Sequence, residues 1–124
     1  MLPQSRRNLE FTIAQIHHLQ QPADARVALL GYWNVFRDGA VGRGRGHIYV
    51  AISDSLTREV NDVIADVARR TGALYVDAFT PFKGNGSLDP TGALAGDGNH
   101  PNAAGHRLIA DAVLEALGVG AAKR

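Results

Sequence analysis

Apolar residues recur along this chain with two rhythms. Leu9, Ile13, Ile16 and Leu19 repeat at three- and four-residue intervals and predict an amphipathic helix over about 5–20. The Gln21–Asp24 stretch ends it, since Pro22 cannot continue a helix. Val27–Trp33 is apolar without alternation, the pattern of a parallel strand covered on both faces. His47–Ile52 reads as a short strand or extended segment. Ser53–Thr57 then enters a helix with an apolar stripe of Leu56, Val60, Val63, Ile64 and Val67, closed by Gly72. Ala73–Val76 is the next buried strand. A last stripe, Ala104, Leu108, Ile109, Ala112, Val113 and Leu117, predicts a helix over about 101–117, stopped by Gly118 and Gly120 and followed by a fraying tail, 121–124. Helices alternating with strands predict an α/β fold: a small three-layer unit with two or three parallel strands flanked by helices.

Composition bounds this picture. With 124 residues the chain is a single domain at most, able to bury roughly two-thirds of its unfolded surface. A net charge of +1 gives no electrostatic pull toward nucleic acid or anionic membranes, so neither is expected as a partner. The absence of cysteine excludes disulfides, thiolate zinc sites and a Cys nucleophile. No apolar run approaches the ~20 residues that span a bilayer. The first residues lack the apolar core of a signal peptide, which leaves a cytoplasmic location as the default expectation.

The candidate chemistry is concentrated in Asp97-Gly98-Asn99-His100-Pro101, a Gly-rich turn that a proline connects to the last helix. Three residues apart, Asp97 can accept from one imidazole nitrogen of His100 and leave the other as a base toward a hydroxyl. No third ligand at useful spacing suggests a metal site. Ser53 and Asp54 read as caps of the following helix; alternatively Ser55, at a strand-to-helix turn, is placed as a nucleophile. Asp77, at the end of a strand, reads as a carboxylate that orders its loop. His106 reads as structural, hydrogen-bonding near the Asp97–His100 loop. Asn34 reads as a turn or capping residue, with an oxyanion donor as the alternative. Residues 37–46, with four glycines and three arginines, read as a solvated loop, and 83–96 as an irregular excursion over Phe79, Pro81 and Phe82.

Asp97-x-x-His100-Pro101 followed by Gly105-His106 resembles the last sequence block of the SGNH/GDSL hydrolases, a family of serine esterases and lipases. The resemblance extends through the strand around Leu29 and Tyr75-Val76-Asp77 to the final helix. It implies the C-terminal half of the flavodoxin-like SGNH fold, in a single truncated domain spanning 1–124. It also implies hydrolysis of small carboxylic esters by a triad in which Asp97 orients His100, with no metal or organic cofactor. The family's Gly-Asp-Ser, oxyanion-glycine and Gly-x-Asn-Asp blocks have no counterpart here. Ile52-Ser53-Asp54-Ser55-Leu56 echoes the first of these and makes Ser55 the candidate nucleophile, in one chain or across a dimer. Too few strands flank Val27–Trp33, so a homodimer covering the open sheet is expected. The competing expectation is an inert fragment of the same fold, serving as an oligomerising or interaction module.

Overall fold

The first apolar stripe folds as α1 (Leu2–Leu19) and buries Ile13. The computed structural model describes residues 2–20 and 25–119; the expected turn at 21–24 and the tail 120–124 lie outside them. Helix α1 packs along a later helix, α3 (His47–Thr71). Asp66 of α3 pairs with Arg6, and Arg70 approaches Glu10 at 3.6 Å. The Arg6 hydrogen bond above all, helped by Arg69, holds the Asp66 carboxyl below its ordinary range. Exposed pairs of this kind add little stability.

Strands β1 (Ala28–Leu30) and β2 (Leu74–Val76) pair in parallel, with Leu29 opposite Tyr75. The fold is α/β, with α3 packed on both strands and α5 (Ala103–Ala116) on β2. The Leu74 N–H donates to Val27 O at 2.8 Å and the Gly31 N–H to Val76 O at 2.9 Å. By the alternation of a strand, the peptide groups of Ala28 and Leu30 then face the opposite edge. Among the described residues no strand pairs with that edge. Here the expectation for Val27–Trp33 is corrected. Ala28 is exposed and Leu30 is 40% exposed, because no described element covers them.

Two further expectations are corrected between the strands. The stretch 37–46 is not a solvated loop; it contains α2 (Gly39–Arg43), whose first N–H is capped by Asp38. Arg43 pairs with Asp89 at 2.9 Å, and Arg45 lies over the Tyr49 ring. His47–Ile52 is not a strand but the first turns of α3. Ser53 and Asp54 are therefore not caps, and Ser55 does not lie at a strand-to-helix turn. The reason is visible on the helix surface. Ser53, Thr57 and Asn61, four residues apart, are all buried, and Thr57 and Asn61 bind the segment after β1. The Thr57 hydroxyl accepts from the Val35 N–H at 3.1 Å and donates to Ser53 O at 2.7 Å. The Asn61 amide accepts from the Tyr32 N–H at 2.7 Å and donates to Tyr32 O at 2.8 Å.

After β2, Asp77 orders its loop as expected, its carboxylate accepting from the N–H groups of Phe79 and Thr80. Helix α4 (Phe79–Lys83) sends Phe82 into a core with Ala93 and Leu94, against which Trp33, Leu108 and Ile109 pack. Trp33 stacks on Phe82 with ring centroids 5.7 Å apart. The excursion over 83–96 contains one short 3-10 turn, Pro90–Ala93. Helix α5 starts two residues later than expected. Pro101 precedes the cap, and the cap is Asn102, whose side-chain oxygen accepts from the N–H groups of Ala104 and Gly105.

Candidate active site

Three local devices shape the loop between the 3-10 turn and α5. Leu94 and Pro101 form an antiparallel bridge, and the Ala95 N–H donates to His100 O at 2.8 Å, closing the loop at its base. Gly98 takes a φ of +72°, which side-chain-bearing residues rarely adopt. It also sits where a Cβ would come within 2.5 Å of the Val41 Cβ. Asn102 adds to its capping two donated bonds, to Gly92 O and Leu94 O. The loop is thus fastened on both sides, and its tip carries Asp97 and His100.

The structure brings those two residues together. His100 Nδ1 lies 2.5 Å from Asp97 Oδ2. The other carboxylate oxygen accepts from the N–H groups of Asn99 at 2.9 Å and His100 at 3.1 Å. The imidazole contact first, and then these two amides, lower the Asp97 carboxyl to about 2. An ionised Asp97 can only accept, so Nδ1 carries the hydrogen-bonding proton and Nε2 of the neutral ring is left as a base. His100 also lines a groove of about 490 Å³ with Tyr32, Trp33, Asn34, Val60 and Asn99. Trp33 Nε1–H donates to Asn99 O at 2.8 Å, so one wall of the groove is tied to the loop.

The other candidates fall in different places. Ser55 is exposed in the third turn of α3, two residues from each of the buried Ser53 and Thr57. At ~100° per residue it therefore points away from that buried face. Asn34 is buried beneath the loop, its Nδ2 3.4 Å from Gly98 O and its Oδ1 without a partner among the described residues. His106 is exposed and its ring makes no hydrogen bond among the described residues, so the hydrogen bond expected of it near the loop is not seen. Gly105 has a clear reason. A Cβ there would fall 2.2 Å from Ala93 O, so only glycine lets α5 start against the 3-10 turn. No group of three His, Cys, Asp or Glu among the described residues is placed to hold a metal, and no described helix is long and apolar enough to cross a membrane.

Sequence reasoning passed over Asp38 and Lys83. Lys83 Nζ lies 2.7 Å from Asp38 Oδ2 and 2.6 Å from Asp54 Oδ1, and Lys83 is 2% exposed. A lone lysine directly after Phe79, Pro81 and Phe82 was the available signal, and Asp38-Gly39 was a capping signal hidden among glycines.

An α/β chain with a carboxylate–imidazole pair on the loop before its last helix has a geometry in which an imidazole can act as a base. The family follows from comparison. The model of the GDSL-like lipase/acylhydrolase family matches residues 1–108, and the chain belongs to that family. Among solved structures it is similar to LAE5, an alpha/beta hydrolase enzyme from the metagenome of Lake Arreo, Spain, with 27% identity and a TM-score of 0.57 over 92% of this chain and 48% of that one. It is also similar to a variant of Axe2, an acetyl xylan esterase from Geobacillus stearothermophilus, with 25% identity and a TM-score of 0.54 over 93% of this chain and 48% of that one. The chain thus spans about half the length of either structure. No curated protein matches it significantly.

Proposed function

We propose that this chain supplies the acid–base half of a carboxylic ester hydrolase acting on small, short-acyl esters. His100 is the general base, and Asp97 holds its tautomer and stabilises the imidazolium that forms. The observation that carries this reading is the 2.5 Å contact between His100 Nδ1 and Asp97 Oδ2 beside an open groove. The hydrolase and esterase structures it resembles support the reaction class. In this reading the attacking serine is supplied by a polypeptide segment other than these 124 residues. Ser55 lacks the turn and the converging N–H donors that an activated serine needs.

The test fuses to this chain the part of the Lake Arreo enzyme that it does not cover, and measures p-nitrophenyl acetate hydrolysis and fluorophosphonate labelling. The fusion is expected to label on its added serine. His100→Ala in the fusion is expected to lower turnover by about 10³–10⁴-fold. An active fusion indifferent to His100→Ala would falsify the assignment.

A second reading, favoured by a β1 edge that is unpaired among the described residues, is that two copies associate there. Beside that edge lies an apolar groove of about 620 Å³ between α1, β1 and α3. Light scattering at micromolar concentration decides it, a monomer removing the idea.

A further inference from the structure

Lys83 holds a buried positive charge that ester hydrolysis, as described, leaves unused. Its two carboxylate partners come from different elements. Asp54 belongs to α3, and Asp38 precedes α2. An ammonium removed from water persists only where such partners compensate it, so the three groups fix one another.

Asp38 connects this cluster to the His100 loop. One of its carboxylate oxygens holds Lys83 and the other accepts from the Gly39 N–H at 2.7 Å, which locks the turn into α2. The Asp38 N–H donates to Gly98 O at 2.7 Å. Gly98 lies between Asp97 and His100, in a seat so close that an added Cβ would lie 3.0 Å from Asp38 O as well as against Val41. Any shift of the 38–41 turn is therefore passed directly to the peptide between the two reacting side chains.

We infer that Lys83 is a positioning residue. By clamping Asp38 it sets the place of the Gly98 peptide, and through it the alignment of Asp97 with His100. The inference rests on the acid–base reading of that pair, but its test needs no turnover. Lys83→Met alone leaves buried Asp38 unpaired and is liable to unfold the chain. The informative variant therefore combines Lys83→Met with Asp38→Asn, because Asn keeps the cap and the backbone N–H while no charge is stranded there. Asp54, which is partly exposed, can be hydrated.

Imidazole ¹H–¹⁵N spectra and carboxyl ¹³C titrations are read on the parent and on the double variant, with circular dichroism confirming the helices. The parent is expected to show one His100 tautomer, with the proton on Nδ1, and an Asp97 midpoint near 2. The folded double variant is expected to show mixed tautomers and an Asp97 midpoint moved toward the ordinary value of ~3.9. Arg43→Gln, which removes the exposed pair with Asp89, serves as the control and should leave both signals unchanged. A folded double variant with the parent's tautomer and midpoint would overturn the inference and reduce Lys83 to a stabilising ion pair, leaving the hydrolase reading intact. A parent with the paired tautomer but an inactive fusion would sink the hydrolase reading and leave the positioning role standing.

Discussion

Two stretches of this chain offered candidate chemistry, 94–106 most strongly and 47–61 less so, and they fold by opposite logics. In 94–106 each local preference agrees with its surroundings. Gly98 takes the positive φ its seat requires, Asn102 caps the helix that follows, and Gly105 leaves room for Ala93 O. In 47–61 the local preferences and the surroundings conflict. Ile48, Ile52 and Leu56 face outward, with Ile48 76% exposed, while Ser53 and Thr57 are 1% exposed. The first half of α3 is thus inside-out, with its polar stripe turned toward the loop after β1. A functional loop can be recognised from its own residues when each acts on its immediate neighbours. A helix face assigned by polarity alone misleads when buried polar groups are satisfied by distant backbone.

The comparison breaks first at Gly98. Gly98→Ala must adopt an unfavourable φ and push Val41 aside, and should destabilise the fold by about 2–4 kcal/mol in urea unfolding. A loss under ~0.5 kcal/mol would mean the loop is not seated as described. Asn102→Ala is the next largest. Removing an N-cap costs about 1 kcal/mol, and the lost bonds to Gly92 O and Leu94 O should bring the total to about 1–2 kcal/mol. A melting temperature equal to the parent's would show the cap to be dispensable.

The acid limb sharpens the same contrast. Asp97 has its folded pKa lowered, so its contribution is complete above the unfolded value of ~3.9 and is lost as pH falls through about 2. Carboxyl ¹³C shifts should therefore show Asp97 still ionised at pH 3. A midpoint near the ordinary value would mean that the contact with His100 is absent in solution.

The smallest effect is expected at Ser55. On an exposed helix surface Ser55→Ala should stabilise by no more than ~0.5 kcal/mol, since alanine is the better helix former, and should leave fluorophosphonate labelling of the fusion unchanged. Loss of labelling in this variant would return Ser55 to the site and undo the contrast between the two stretches.

By itself the sequence determined the features in which a residue acts on near neighbours. Helical spacing marked α1, the later turns of α3, and α5; unbroken apolar runs marked β1 and β2; and three-residue spacing marked Asp97 and His100. Capping, turn formation and a carboxylate reaching an imidazole one turn away are short-range events, so their signals lie within a few residues. Tertiary structure alone decided that α3 already begins at His47 and turns Thr57 and Asn61 inward, where they bind Val35 and Tyr32, residues brought near only by folding. It also decided that Lys83, Asp38 and Asp54 meet. Their carboxylate–ammonium contacts join positions 45 and 29 residues apart, and charge pairing at that range leaves no periodicity in a chain. The β1 edge, unpaired among the described residues, belongs to the same class, since whether an apolar strand is covered depends on which elements lie beside it, and a run of apolar residues records only that burial is favourable.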